Sequence, residues 1–180
     1  QPFTCGFHIP EMDFYIDFWG EEGECIELFF QWLDRFTGSG GALENKRLLI
    51  LCHNFGNFDG YFMLDHLDSG HSPFIINGRL VSVEAHGHEF RDSYSMIPVP
   101  LGEYDKDAID YRCMEKGFRD VFREKILSYQ KRDCTALGEL VVQWYELFGN
   151  KLTMASVALP MLRSYHGFEN CTERVDAEMR

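Results

Sequence analysis

A short apolar run at residues 48–51 constrains the fold of this chain more than any other feature. It lies between a basic pair at 46–47 and a stretch rich in turn residues at 52–62. An uninterrupted apolar run of this length is typical of a strand buried on both faces, so we predict a strand at 47–53. Ligands of open α/β sheets collect at the carboxyl ends of strands. The stretch that follows the run is therefore the first place to look for chemistry.

That stretch places an amide, an aromatic ring and a carboxylate at the predicted strand end, from Asn54, Phe58 and Asp59. An apolar pattern at helical spacing follows, and it predicts a helix at about 60–68. Two interpretations of Asp59 remain open at this point. Its carboxylate is either part of a functional site or a simple cap on the helix that follows it.

The remaining elements are predicted from hydrophobic periodicity. Alternation of period two indicates strands, and apolar residues at i, i+3, i+4 and i+7 indicate amphipathic helices. The pattern predicts a hairpin at 3–9 and 14–19, a helix at 21–36, a three-strand meander between 74 and 93, a long helix at 118–148 and a shorter helix at 152–166.

Composition narrows the class of protein. With 180 residues and 45% hydrophobic content, the chain has enough apolar material for a globular core. Its net charge of -12 argues against non-specific binding to nucleic acid through a broad basic surface. The six cysteines lack C-x-x-C spacing, so we expect reduced thiols and neither a zinc site nor a disulfide framework. We expect His86 and His88 to lie in a solvated hairpin, and no membrane partner.

A second carboxylate, Asp133, falls in the apolar stripe of the long helix, one turn after Tyr129. An ionised carboxylate on a buried face needs a compensating cation or several donors. Two other arrangements would also accommodate Asp133. The helix could break near Arg132 so that the carboxylate reaches water, or Asp133 could form an ordinary salt bridge to Lys131 or Arg132. Together, however, Asp133 and Asp59 offer two hard oxygen ligands that suit Mg²⁺ or Mn²⁺.

Several segments resemble, in order, the proofreading 3′–5′ exonuclease region of protein-primed family B DNA polymerases, the viral, linear-plasmid and organellar branch. The stretch 53–60 resembles the second exonuclease motif of that family, and Tyr129 to Asp133 resembles the third, Tyr-x3-Asp. Between them, 91–98 resembles the single-strand-binding segment, with Tyr94 where leucine is usual, and 106–111 resembles the Lys-x3-Asp-Tyr segment. The sequence at 153–156 resembles the Thr-x-Ala-Ser that follows the exonuclease domain.

The resemblance implies an α/β fold of the ribonuclease H-like exonuclease type, a mixed sheet flanked by helices with an inserted β meander. It implies an exonuclease-like domain at 1–149, incomplete at its N-terminus, and the start of a segment leading to the polymerase domain at 150–180. The first strand of this fold would carry the family's Asp-x-Glu motif, and no such motif occupies the position before the hairpin. We therefore expect an internal piece of a polymerase that is inactive by itself.

The resemblance also assigns roles. Asp59 and Asp133 would bind two Mg²⁺ or Mn²⁺ ions in the intact protein, Tyr129 would orient the attacking water or the phosphate, and Lys106 would supply positive charge. The residues that would hold the single-stranded primer terminus are Asn54, Phe58, Ser93 and Tyr94. The intact polymerase would be an intracellular monomer, and a priming terminal protein is left open as a further partner.

Two alternatives remain. The chain could be a non-catalytic DNA-binding or structural module in which the fold persists and the metal site does not. It could also be a free-standing ribonuclease H-like nuclease, which the continuation at 153–156 disfavours.

Overall fold

The computed structural model describes residues 1–104, 109–151 and 153–166. It begins with an antiparallel hairpin of β1 (Thr4–Ile9) and β2 (Phe14–Trp19), and the amphipathic helix α1 (Glu24–Thr37) follows. The turn between the strands ends at Asp13, whose backbone is left-handed. The predicted hairpin and first helix are both confirmed, because their periodicities are strong and local.

A four-stranded mixed sheet forms the second layer. Its strands are β3 (Leu49–Cys52), β4 (Phe74–Ile76), β5 (Arg79–Ala85) and β6 (His88–Asp92), in the spatial order β3-β6-β5-β4. β3 runs parallel to β6, and the other pairs are antiparallel. Asn77 and Gly78 both have positive φ in the turn between β4 and β5, as a tight hairpin requires. The predicted meander and the mixed α/β architecture are thus confirmed.

Two apolar clusters lie on either side of β3. Ile50 belongs to the main core, in which Phe29, Phe30 and Leu33 of α1 pack between the hairpin and the sheet. Leu51 instead packs against a smaller cluster around Met96 and Trp144. The prediction that this strand is buried on both faces holds for its centre, whereas Leu49 at its start is exposed.

The second half of the chain is helical. A short helix, α2 (Leu101–Tyr104), precedes α3 (Arg123–Phe148), and α4 (Met154–His166) contains Pro160. The long helix begins later than predicted, because 118–122 forms hydrogen-bonded turns, and Gly149 with positive φ ends it. No helix in the described part of the chain is both long and apolar enough to cross a bilayer.

Two sequence predictions are wrong in detail. The segment Asp59–His66 forms a 3-10 helix rather than an α-helix, so Met63 is buried while Tyr61 and Leu64 are exposed. His88 does not lie in a solvated hairpin with His86, although Gly87 between them is exposed. The His88 imidazole is buried, contacts the Thr37 hydroxyl at 3.2 Å and accepts a hydrogen bond from the backbone N–H of Leu48.

α3 packs closely on β1 because small residues line the contact. Thr4 Oγ1 donates to Gln130 Oε1 at 2.9 Å. A Cβ added at Gly6 would lie 3.0 Å from Cys134 Sγ, and one added at Gly138 would lie 2.8 Å from His8 Nδ1. The positions 130, 134 and 138 recur every four residues and therefore form one face of the helix. This contact fixes the neighbouring stripe of α3, which carries Tyr129 and Asp133.

Candidate active site

A fully buried carboxylate organises the loop after β3. Asp92, at the end of β6, accepts hydrogen bonds from the backbone N–H groups of Phe55, Gly56 and Tyr94, at 3.2, 3.2 and 2.9 Å. A Cβ added at Gly56 would lie 2.2 Å from the carbonyl oxygen of Leu80. Only glycine allows this loop to approach β5 so closely. The parallel pairing of β3 with β6 thus brings both strand ends to one place.

Arg79 links this carboxylate to the two predicted DNA-contacting residues nearest to it. Its Nε donates to Asp92 Oδ2 at 2.8 Å, and its Nη2 donates to Asn54 Oδ1 at 3.0 Å. The guanidinium carbon lies 4.7 Å from the centre of the Tyr94 ring. Asn54 has a left-handed backbone, with a φ of 56°. The structure therefore brings Asn54 and Tyr94 together around one cation.

Ser93 is the predicted DNA-contacting residue that lies deepest. It is fully buried, its hydroxyl donates to the carbonyl oxygen of Cys52 at 3.2 Å, and it lies 3.2 Å from His53 Nδ1. Burial lowers the pKa of His53, against the opposing effect of the Val99 carbonyl and of Asp92. In this structure Ser93 fastens β6 to the end of β3 and exposes no surface for a ligand.

Asp59 and Phe58 lie on the outer side of the same loop. The Phe58 ring is exposed, as a base-stacking role would require. The Asp59 side chain reaches the surface, yet protein atoms crowd its carboxyl group, and this desolvation raises the pKa of Asp59 above its usual range. Among the described residues, no hydrogen bond or ion pair compensates this carboxylate. Such a group suits a metal ligand.

Tyr129 and Asp133 form the second part of the candidate site. Burial raises the pKa of the Tyr129 hydroxyl to about 12, and the negative charge of Asp133 adds to the effect. The hydroxyl is hydrogen-bonded to the Asp133 carboxylate and to Tyr111. The helix therefore presents a tyrosine and a carboxylate as one hydrogen-bonded unit.

A group of thiols connects the two parts of the site. Burial raises the pKa of Cys52, and the charges of Asp59 and Cys134 contribute. Cys134 in turn has a pKa of about 12, raised mainly by burial and then by its neighbour Asp133. Asp59 thus lies near Cys52 and Asp133 near Cys134, and these two thiols lie near each other. The five described cysteines, at 5, 25, 52, 113 and 134, are free, which agrees with the expected reduced state.

The metal-binding prediction is not supported by a ready-made ligand set. Within 1–104, 109–151 and 153–166, no group of three or more His, Cys, Asp or Glu side chains is placed to bind a metal ion. Lys106, the predicted phosphate-binding cation, lies outside the described residues. Asp59 and Asp133 are thus two candidate ligands, and the described residues supply no third side chain placed with them to complete a metal site.

Three residues of this region were not predicted to be functional. Arg79 and Asp92 hold the loop together, and Tyr111 contacts Tyr129. Asp92 had a weak signal, since it follows Phe90 by two residues and so shares the inward face of the predicted strand, where a carboxylate is unusual. Arg79 had none, because its role depends on the register of β5 against β6.

Comparison with known proteins gives one informative match. The chain is 36% identical over 181 residues to a DNA-directed DNA polymerase of Enterobacteria phage PRD1. The similarity covers 100% of this chain but only 30% of the phage polymerase. This chain is thus homologous to a region of a DNA polymerase. No protein-family model matches the chain, and no solved structure matches it.

Proposed function

We propose that this chain is the proofreading exonuclease region of a DNA-directed DNA polymerase, which removes nucleotides from the 3′ end of single-stranded DNA by two-metal hydrolysis. The observation that carries the proposal is the coincidence of two facts. The whole chain is similar to part of a phage DNA polymerase, and Asp59 lies near Cys52 while Asp133, bonded to Tyr129, lies near Cys134, the thiol that in turn adjoins Cys52.

The sheet edges support the ribonuclease H-like form of the proposal. In the part of the chain that the structure describes, β1 pairs with β2 alone and β3 pairs with β6 alone. Cys5 of β1 lies near Cys52 of β3, because Cys52 contributes to the raised pKa of Cys5, after burial, Cys25 and Cys134. This proximity supports a place for a further strand between β1 and β3. A strand inserted there would bring its side chains next to Asp59. In the proposed fold that strand carries the Asp-x-Glu carboxylates that complete the metal site.

We propose the following roles from the family resemblance and, for the described residues, from their positions. Asp59 and Asp133 would hold two Mg²⁺ or Mn²⁺ ions, which supply an activated water and stabilise the leaving 3′-oxygen. Tyr129, placed by its hydrogen bond to Asp133, would orient the attacking water or the scissile phosphate. Asn54 and Tyr94, fixed by Arg79, grip the terminal nucleotide, and Phe58 stacks on a base. Lys106 would neutralise phosphate charge.

A second candidate function is a non-catalytic module within a polymerase. The specific observation that favours it is the absence, among the described residues, of a preformed group of three metal-binding side chains. The chain would then hold the fold and contact DNA without hydrolysing it. The two candidates differ in whether hydrolysis depends on Asp59.

A chimera tests the proposal. The 180 residues replace the similar region of the phage PRD1 polymerase, and single-stranded hydrolysis is compared with nucleotide incorporation. Asp59→Ala should abolish hydrolysis while incorporation persists. Asp65→Ala is the matched control, an exposed carboxylate in the same 3-10 helix, and should change neither activity. Incorporation without any Asp59-dependent hydrolysis would refute the exonuclease and favour the non-catalytic module.

A further inference from the structure

An exposed surface on the first turns of α3 leads away from the candidate site. We call Tyr111, Phe122 and Lys125 the α3 strip. Phe122 precedes the helix, and positions 122, 125, 129 and 133 recur at intervals of three or four residues, so they share one stripe of the helix. Eleven residues at about 1.5 Å each place the start of the stripe roughly 16 Å from Asp133.

Contacts confirm that the strip adjoins the site. Tyr111 is hydrogen-bonded to Tyr129, which is in turn bonded to Asp133. Lys125 lies close enough to Asp110 that its charge helps to lower the pKa of that carboxyl group, after the larger effect of the Arg112 hydrogen bonds. Tyr111 therefore lies beside the Tyr129–Asp133 pair, and Lys125 in the first turn of α3 lies near Asp110 of the same segment.

Three aromatic residues on this surface are exposed to solvent instead of packing in the core. The Tyr111 side chain is 72% exposed and Phe122 is 39% exposed. Phe118 is 53% exposed, in the turn whose carbonyl oxygen accepts from the backbone N–H of Phe122. Aromatic rings that lie open beside cations are the usual platform for unpaired bases, because every base has a π-face.

The sequence segment that carries this surface is richer in cations than the rest of the chain. Residues 109–132 carry seven of the 17 lysines and arginines but only four of the 29 aspartates and glutamates, in a chain of net charge -12. Asp110 is already neutralised by Arg112, with Nη2 and Oδ2 2.7 Å apart. Lys116 and Arg119 pair with Glu22 and Glu21 outside the segment, and an excess of positive charge still remains in an otherwise acidic chain. This local excess favours the approach of a polyanion.

We propose that the α3 strip binds the single strand of DNA behind its 3′ end, with Phe122 and Tyr111 stacking on bases and Lys125 contacting a phosphate. The strip rests on the proposed function, since it extends the path of the same substrate beyond Asn54, Phe58 and Tyr94. It gives an acidic chain a local means of holding DNA while the terminal nucleotide lies at the carboxylates.

Binding of a fluorescein-labelled oligodeoxythymidine to this chain in EDTA tests the proposal, with fluorescence anisotropy as the readout and without hydrolysis. Phe122→Ala should weaken binding about tenfold through the lost stacking. Lys125→Ala should weaken it less, and should reduce the slope of log K against log salt by about 0.7. Leu147→Ala, an exposed apolar residue in the last turn of α3, and Lys46→Ala, before β3, are the matched controls and should change affinity by less than about twofold.

A duplex of the same length separates stacking from charge, because its bases are already stacked. Phe122→Ala should leave duplex binding unchanged. The proposal is overturned if both strip variants bind like the wild type, if the controls lose as much, or if the wild type prefers duplex or binds no DNA. Self-association that Phe122→Ala abolishes, without DNA binding, would assign the surface to a protein instead. Failure of the proposed function would be distinguishable from failure of the α3 strip. The first is measured as loss of hydrolysis in the chimera, and the second as unchanged DNA binding in EDTA.

Discussion

The Arg79 guanidinium on β5 and the buried Asp92 carboxylate at the end of β6 form a close ion pair, with Nη2 and Oδ2 2.7 Å apart. The pair ties three segments together, because Asp92 also holds the backbone of the loop after β3 and Arg79 also holds Asn54. Asp92 is buried, whereas the Arg79 side chain is 30% exposed. Loss of the cation therefore leaves a buried charge without its main partner.

We expect Arg79→Met to lower the free energy of unfolding by about 3 kcal/mol, since removal of one partner of a buried pair is strongly destabilising. The double variant Arg79→Met/Asp92→Asn should lose less than the sum of the single losses. Urea unfolding of the four proteins gives the coupling. Arg47→Ala, which breaks an exposed pair with Glu84, is the control and should cost less than about 1 kcal/mol. Strictly additive losses would contradict this account of the pair.

Gly56→Ala tests the close approach of the site loop to β5. The new methyl group would meet the Leu80 carbonyl oxygen, which is backbone and cannot move aside. We expect a loss of about 1–3 kcal/mol, the range of overpacked positions. Gly117→Ala is the control, because a Cβ there meets no atom within 4 Å. Equal stability of the two variants in urea would show that the loop can relax.

We expect the ionised carboxylate of Asp59 to lower the unfolding free energy of the metal-free chain. Its pKa is raised on folding, so the stability it contributes is full below its unfolded pKa and is lost as the pH rises through the folded value. Asp59→Asn should therefore stabilise the chain at pH 7 in EDTA. The gain should be at most about 1 kcal/mol, because solvent reaches the carboxylate and screens its charge.

Urea unfolding at pH 4 and pH 7 measures this effect. The unfolding free energy of Asp59→Asn should exceed that of the wild type by more at pH 7 than at pH 4. Asp65→Asn, in the same 3-10 helix, should show no such difference. A destabilised Asp59→Asn at pH 7 would mean that the carboxylate has a structural partner.

His88 should make the fold sensitive to acid. Burial lowers its pKa in the folded chain below the ordinary histidine value of 6.5, so the unfolded chain takes up the proton first. The stability that depends on the neutral imidazole is present above pH 6.5 and is lost as the pH falls through the lower folded value. His88→Gln should flatten the decrease in unfolding free energy between pH 7.5 and pH 5. An unchanged pH dependence would assign the acid sensitivity to other groups, such as His53, whose pKa is lowered as well.

Local patterns predicted most of the elements, because β1, β2, α1 and α4 are each specified by residues close together in the sequence. The error at 59–66 has a physical cause. Gly60 packs against Leu80 and the Phe55 carbonyl oxygen. At this contact the segment forms a 3-10 helix, which is wound more tightly than the α-helix that the apolar spacing predicted. The late start of α3 has a similar origin, since Arg119 turns inward to pair with Glu21 and to stack on Phe3.

The candidate site was predictable only where a motif names its residues. Asp59, Tyr129 and Asp133 belong to recognisable motifs, and Phe58 is exposed beside them. Arg79 could not have been predicted, because its contacts with Asp92 and Asn54 join segments whose spacing in space is set by strand register. Ser93 shows the opposite case, in which the motif pointed to a ligand contact and the structure shows a buried hydroxyl bonded to Cys52.

The central claim is that Asp59 and Asp133 serve one catalytic metal site. The most direct measurement is the rate of 3′–5′ hydrolysis of single-stranded DNA by the polymerase chimera carrying Asp59→Ala, Asp133→Ala, or both. Residues that act as a unit give strongly non-additive losses, so each single variant should lose at least about a thousandfold and the double variant should be no slower than the singles. Losses that multiply, or single variants that retain most of the hydrolysis, would contradict a shared site.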